Sequence, residues 1–419
     1  MIQPGLRVLM LTPDVGFLDR RIAQEAATLA ARGDTVDIFA VFGPLNVPAL
    51  PSGVRSLAPA SAPASPGSVE RGARRLKKGL KRTVPLVHDL LDRAQYAVTD
   101  RAAAIADAHE RHLLGIGRYD LVFAHDIPVM PLAVRLRAAW GSPIVLDLHE
   151  AFPEMEEAIP SRPARAYWRR VEAGSIPQAD SLMCVNEGLV DHLIRRYHPR
   201  ASVEIVHNSV PFVPRSDLAS GAIHELYGLS EPTRVLVFAG SLRPANNLEA
   251  VVRGFARARL DGWALAFLGS GPDQRRLEEI IREEGAVESV RIGRRMAQDD
   301  LVPALGSADV GILPYTAIGL NHTIATPNKL FEYIQARLPV ASSRLPMVDR
   351  ILDANGNGFS VDFSTPETVA RDLRRFIGED LGRFTPQILE GAAEAVCWER
   401  DEPALLRAVE AALAGSSHA

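Results

Sequence analysis

Arg7-Val8-Leu9-Met10-Leu11-Thr12, then the amphipathic stretch Arg21 to Arg32 closed by Gly33, then Thr35 to Val41: the opening reads as strand, helix, strand. Similar apolar runs recur at Tyr119 to His125, Pro143 to His149, Asp180 to Val185 and Val203 to Asn208. A second series follows at Arg234 to Gly240, Trp263 to Gly269, Val290 to Gly293, Ala308 to Pro314, Pro339 to Ser343 and Gly358 to Asp362. Near-continuous Val, Ile, Leu and Ala mark strands buried on both faces, and helices between them make the sheets parallel. The expectation is an α/β chain of two Rossmann-like domains whose parallel sheets face each other across a cleft. The two prolines of Pro211-Phe212-Val213-Pro214-Arg215 place the boundary at 211/212.

The chain has 419 residues, enough for two cores, and its 47% hydrophobic and 23% charged content excludes disorder as its main state. With 47 basic against 51 acidic residues it lacks the basic excess that nucleic-acid binding needs. Two cysteines, Cys184 and Cys397, cannot form a disulfide scaffold and fit a reducing, cytoplasmic setting. No apolar run is long enough to span a membrane, and the run Val8 to Leu11 is too short for a signal peptide core. An Ala/Pro/Ser-rich loop, Ala58 to Gly67, leads into a basic stretch from Arg71 to Arg82. That stretch is a solvated helix face, or it meets an anionic acceptor or the inner surface of a membrane, peripherally.

Ligands in open parallel sheets sit beyond the carboxyl ends of the strands. Gly16 lies in the turn after the first run, one later run ends in His125-Asp126, and the next in Asp147-Leu148-His149-Glu150. Two acid-imidazole pairs at strand ends point to a polar crevice, with His125, His149 and Glu150 as candidate catalytic residues. In the second half, Thr326 reads as a helix N-cap and Pro327 as the first helical residue. The amides of Asn328 and Lys329, with the helix dipole and the Lys329 charge, then make a diphosphate cradle that continues into Leu330. A carboxylate would repel phosphate, so Glu332 suits a pair of vicinal hydroxyls. The alternative is a capped structural helix with an exposed Glu. Gly240 and Arg243 follow one strand, Gly269 another and Arg294 a third, and all are candidates to meet the same anion. Gln274 stands where a dinucleotide fingerprint needs its third glycine, and no Asp-x-Asp, zinc spacing or Gly-x-Ser-x-Gly elbow occurs. Trp263 and Phe267 read as packing.

Over nearly its full length the chain resembles glycosyltransferase family 4, of GT-B architecture. The resemblance rests on Asp120-Leu-Val-Phe-Ala-His125-Asp126, on Asp147-Leu-His-Glu150, on Ala308 to Pro314, and above all on Pro327-Asn-Lys-Leu-Phe-Glu-Tyr333 followed by Leu338-Pro-Val340. It implies a retaining transfer from a nucleotide-diphosphate sugar, UDP- or GDP-linked, with neither metal nor other cofactor. The acceptor would be a glycan, a lipid or a natural-product intermediate. It implies an acceptor-side domain over 1–211, a nucleotide-sugar domain over 212–395, and helices over 396–419, near Trp398, that cross back to the first domain. By resemblance Glu332 holds the ribose and His125 lies beside the transferred sugar. The family's other glutamate is replaced by Ile324, with Asn321 or His322 as substitutes, and its usual Lys by Asn246 and Asn247. A 2-epimerase of the same fold and a non-catalytic nucleotide-sugar-binding protein stay open as alternatives.

Overall fold

Every apolar run read above becomes a strand, and one strand without such a run, Val54–Leu57, joins them. The structure is a computed structural model that describes residues 5–46, 50–58, 100–155, 159, 161–230, 232–293 and 295–415. The Arg71 to Arg82 stretch, most of the Ala58 to Gly67 loop and Arg294 lie outside these residues. The chain divides into two units, 1–206 with 402–419, and 207–401. The sequence expectation put these divisions at 211/212 and 395/396. The Trp398–Gly415 helix begins in the second unit and ends in the first.

Among the described residues the first unit holds β1 (Arg7–Thr12), β2 (Thr35–Ala40), β3 (Val54–Leu57), β4 (Leu121–His125), β5 (Ile144–Leu148), β6 (Ser181–Cys184) and β7 (Ser202–Ile205). They form one parallel sheet in the order β3-β2-β1-β4-β5-β6-β7. The order reverses between β1 and β4, so the crevice for a ligand opens beyond the ends of those strands. β3 escaped notice because only Val54 in it is buried. What holds it is the ladder to β2 and a cross-strand pair: Arg55 Nε and Nη2 donate to the buried Asp37 carboxylate at 2.7 and 2.8 Å.

The second unit holds β8 (Arg234–Ala239), β9 (Trp263–Leu268), β10 (Val290–Gly293), β11 (Val310–Leu313), β12 (Val340–Ser342) and β13 (Gly358–Ser360), ordered β10-β9-β8-β11-β12-β13. Alternate residues of β8 feed different cores: Leu236 and Phe238 pack with Trp263 and Phe267 on one face, Val235, Val237 and Ala239 with Phe331 and Tyr333 on the other. Covering both faces is why the strands are apolar throughout. Here the order reverses between β8 and β11. No described helix is long and apolar enough to cross a membrane.

Candidate functional site

The first unit places a buried charge cluster at its crevice. Asp14 Oδ2 accepts from the Asp19 N–H at 2.9 Å, and Asp19 Oδ1 in turn caps the Arg20–Ala31 helix by accepting from the Arg21 N–H at 2.8 Å. That helix carries Arg21 and Glu25 one turn apart on its buried face. Arg21 Nε donates to Glu25 Oε1 at 2.9 Å and to Asp147 Oδ2 at 3.0 Å, while its two terminal nitrogens reach the Val206 carbonyl and Asp147 Oδ1. The β4–β5 register sets His125 opposite Asp147. His125 Nδ1 lies 3.2 Å from Asp147 Oδ2 and 3.3 Å from His149 Nε2, which is itself 2.8 Å from Asp147 Oδ2.

The electrostatics follow from this packing. Burial works against an ionised Asp147, yet Arg21 and His149 hold its carboxyl well below the usual range. Burial also works against a charged His149, but Asp147 and Asp126 win and push it up to about 10. Burial, then the Asp147 charge, raises Glu25 well above the carboxylate range, and burial lowers His125. At neutral pH the cluster therefore pairs Arg21 and a protonated His149 with Asp147, while the surroundings favour the uncharged forms of Glu25 and His125. Glu25 Oε2 and His125 Nε2 are buried with no hydrogen-bond partner among the described residues. His125, Asp147 and His149 are close enough to share a metal ion. A divalent cation there would have to tolerate the Arg21 guanidinium, which already neutralises Asp147.

Asp126 sits on the cluster with φ 61° and ψ 169°, a backbone that costs a non-glycine residue about 1–3 kcal/mol. The structure over-determines it: its N–H donates to the Asp147 carbonyl at 2.8 Å, and its Oδ1 accepts from the His149 N–H at 3.0 Å. Burial pushes its carboxyl up to about 7. Beyond it, Asp126 and Glu150 line a cavity of about 420 Å³. Of the three catalytic candidates, Glu150 lines that cavity, while the ring of His125 is fully buried beside His149. Gly16, with φ 78°, belongs to this unit, where its carbonyl accepts from the Asn46 N–H at 3.2 Å. Arg21, Glu25 and Asp147 were not chosen from the sequence as site residues. The available signal was two charges spaced by four on a helix face that also carries Ile22, Ala26 and Leu29.

The second unit builds its site at the reversal between β8 and β11. The Asn328–Gln335 helix starts one residue later than expected. Pro327, extended at ψ 143°, takes the N-cap place that Thr326 was expected to fill, with no side-chain cap. Its carbonyl already accepts from the Leu330 N–H at 2.9 Å, and the Leu330 side chain is core. The amides of Asn328 and Lys329 stay at the helix start, where the helix supplies no acceptor. Lys329 is buried, its Nζ 4.4 Å from the Phe238 ring centroid, 4.8 Å from that of Tyr315 and 3.4 Å from the Tyr315 hydroxyl. A Cβ on Gly240 would lie 3.0 Å from that Nζ. The rest of the motif anchors the helix: Tyr333 Oη accepts from the Ala239 N–H at 2.8 Å and lies 3.3 Å from the carbonyls of Val237 and Ile312. Gly311 makes room for this ring, since a Cβ there would come within 2.5 Å of it.

Glu332 is buried on the same helix. Gly269 serves its own loop, because a Cβ would fall 1.8 Å from the Gly240 carbonyl oxygen. Arg243 is exposed, with Nε donating to Ser241 Oγ at 3.0 Å. Asn246 and Asn247 brace this loop: Nδ2 of Asn246 donates to the Ser241 carbonyl at 2.8 Å, and that of Asn247 to Phe363 at 2.6 Å.

Comparison with known proteins agrees with this layout. Residues 18–209 match the family "Glycosyl transferase 4-like domain", and residues 221–384 match "Glycosyl transferases group 1". A protein of Streptosporangium roseum described as D-inositol 3-phosphate glycosyltransferase is 23% identical over 62% of this chain, and the match spans 62% of that protein's length. One from Nocardioides sp. with the same description is 24% identical over 94% of this chain and 82% of its own. Sucrose-phosphate synthase of Thermosynechococcus elongatus has a similar structure at TM-score 0.67 and 15% identity, covering 97% of this chain and 98% of its own. Anabaena HepE, crystallised with UDP-glucose, is similar at TM-score 0.65 and 13% identity, covering 97% and 99%.

Proposed function

The chain belongs to glycosyltransferase family 4, with the GT-B fold, and is a glycosyltransferase; on that premise we propose that it moves a sugar from a nucleotide-diphosphate donor to an acceptor hydroxyl with retention at the anomeric carbon. The observation that carries the donor half is the buried Lys329 ammonium between Phe238 and Tyr315, at a helix start whose first amides find no acceptor within the helix. An ammonium held there, with no carboxylate paired to it among the described residues, is matched to a diphosphate. The HepE structure holding UDP-glucose makes UDP the first base to try and GDP the second.

In this reading the bond from the anomeric carbon to the diphosphate oxygen breaks as the acceptor oxygen bonds on the same face. The acceptor proton leaves with the diphosphate. Lys329, the helix amides and Arg243 stabilise the charge that develops on the leaving group, with no metal and no other cofactor. Glu332 holds the ribose hydroxyls. The His149 N–H and the Asp147 carbonyl keep Asp126 in place, His125 lies beside the transferred sugar, and Glu150 orients the acceptor, whether glycan, lipid or small molecule.

Calorimetry of Glu332→Ala with UDP and GDP tests the donor half: the dissociation constant should rise at least tenfold with the fold retained, and wild-type affinity would refute the ribose role. His125→Ala should lower turnover more than donor affinity, and full turnover would remove His125 from the site.

A further inference from the structure

The cavity beside Asp126 and Glu150 lies at the β1/β4 reversal, and its volume falls in the range of small-ligand sites, about 300–1,000 Å³. Its described lining is mostly apolar: Phe42, Ile105, Phe152, Met155 and Trp168. Phe152 and Trp168 meet edge to face at 5.1 Å, which sets a rigid aromatic wall. The same end of the unit exposes apolar surface where solvent would favour polar groups. Val15 is 56% exposed, Phe17 58% and Phe42 43%. An isolated bridge between Gly16 and Leu45 ties the loops that carry them, so the apolar surface is held in place at the crevice. The charged lining is Arg101 against Asp126 and Glu150. Among the described lining residues, one guanidinium against two carboxyls gives no excess of positive charge for a phosphate.

We infer that the acceptor, on the glycosyltransferase reading above, is an uncharged alcohol whose apolar portion, aryl or alkyl, fills this cavity while its hydroxyl meets Asp126 and Glu150. A phosphorylated polyol, the class named in the description of the two curated relatives, does not suit the described lining. The apolar body is what the rings and Met155 recognise. The carboxyls accept the hydroxyl proton as a hydrogen bond and fix which oxygen faces the donor. Exposed Phe42 at the rim extends the apolar contact beyond the cavity itself.

Saturation-transfer NMR on the full chain tests this, with 4-methylumbelliferone as aryl probe, 1-hexanol as alkyl probe and myo-inositol 1-phosphate as polyol phosphate. At least one alcohol should bind, the polyol phosphate should not displace it, and Phe42→Ser should weaken it about tenfold. The stronger of the two alcohols identifies the apolar group. Failure of both alcohols to bind, displacement by the inositol phosphate, or an unchanged affinity in Phe42→Ser overturns the inference. UDP and GDP calorimetry on the same samples keeps the two readings apart: loss of nucleotide binding in the wild type counts against the donor site and leaves the alcohol readout standing, and Phe42→Ser should leave nucleotide affinity unchanged.

Discussion

Replacing Arg21 by methionine keeps most of the apolar stem and removes the guanidinium that serves Glu25 Oε1 at 2.9 Å, Asp147 Oδ2 at 3.0 Å, Asp147 Oδ1 and the Val206 carbonyl. Breaking a buried ion pair by deleting one partner costs about 3–5 kcal/mol, because the remaining charge keeps its desolvation penalty. His149 still faces Asp147 at 2.8 Å and offsets part of this, so the lower end, ~3 kcal/mol, is expected. For a unit of this size each kcal/mol moves the midpoint by about 2–4 °C, which gives a fall of roughly 6–12 °C. The assay is thermal unfolding of the full chain with probes that separate the two units, and only the N-terminal transition should move. Arg21→Met combined with Glu25→Leu and Asp147→Leu replaces the whole ion set by apolar groups, with His149 then giving up its proton. That combination should recover most of the loss. A single variant within about 1 kcal/mol of wild type, or a triple variant less stable than the single, would refute the account of a buried, mutually dependent cluster.

Two further outcomes follow from the same geometry. His149 is raised to about 10 in the folded unit from an ordinary 6.5. A raised base stabilises fully below its unfolded value, so this contribution is present below pH 6.5 and is lost as pH climbs through 10. Its ceiling is about 5 kcal/mol at 1.36 kcal/mol per pH unit; unfolding midpoints from pH 6 to 10 should fall, and the slope should flatten in His149→Phe, whereas parallel profiles would sink the assignment. Tyr333→Phe leaves the buried Ala239 amide without the hydroxyl it reaches at 2.8 Å, which should cost the C-terminal unit about 1–3 kcal/mol in urea unfolding and weaken UDP binding by shifting the Lys329 helix; unchanged values in both would show that Tyr333 does not anchor it.

The two series of apolar runs carried the parallel sheets, because a strand buried on both faces must be apolar along its length. Val54–Leu57 was invisible for the converse reason: an edge strand held by a ladder and by Arg55–Asp37 needs no apolar run. The motif Pro327 to Tyr333 was legible as a helix start. The cap was misplaced by one residue, because the fixed φ of Pro327 is compatible with the extended cap as well as with the first helical turn. Gly269 packs so closely on Gly240 that no side chain fits there, a contact that sequence spacing does not reveal.

Sequence alone determined the described strands other than β3, the two-unit plan and the polar residues at the strand ends, since those depend on local periodicity and on turns between neighbours along the chain. Tertiary structure alone decided that Arg21, Glu25, His125, Asp147 and His149 share one buried cluster. Arg21 and Asp147 are 126 residues apart, and only a sheet that sets β1 beside β4 and β4 beside β5 removes the water between them. Once that water is gone, their charges set each other's protonation.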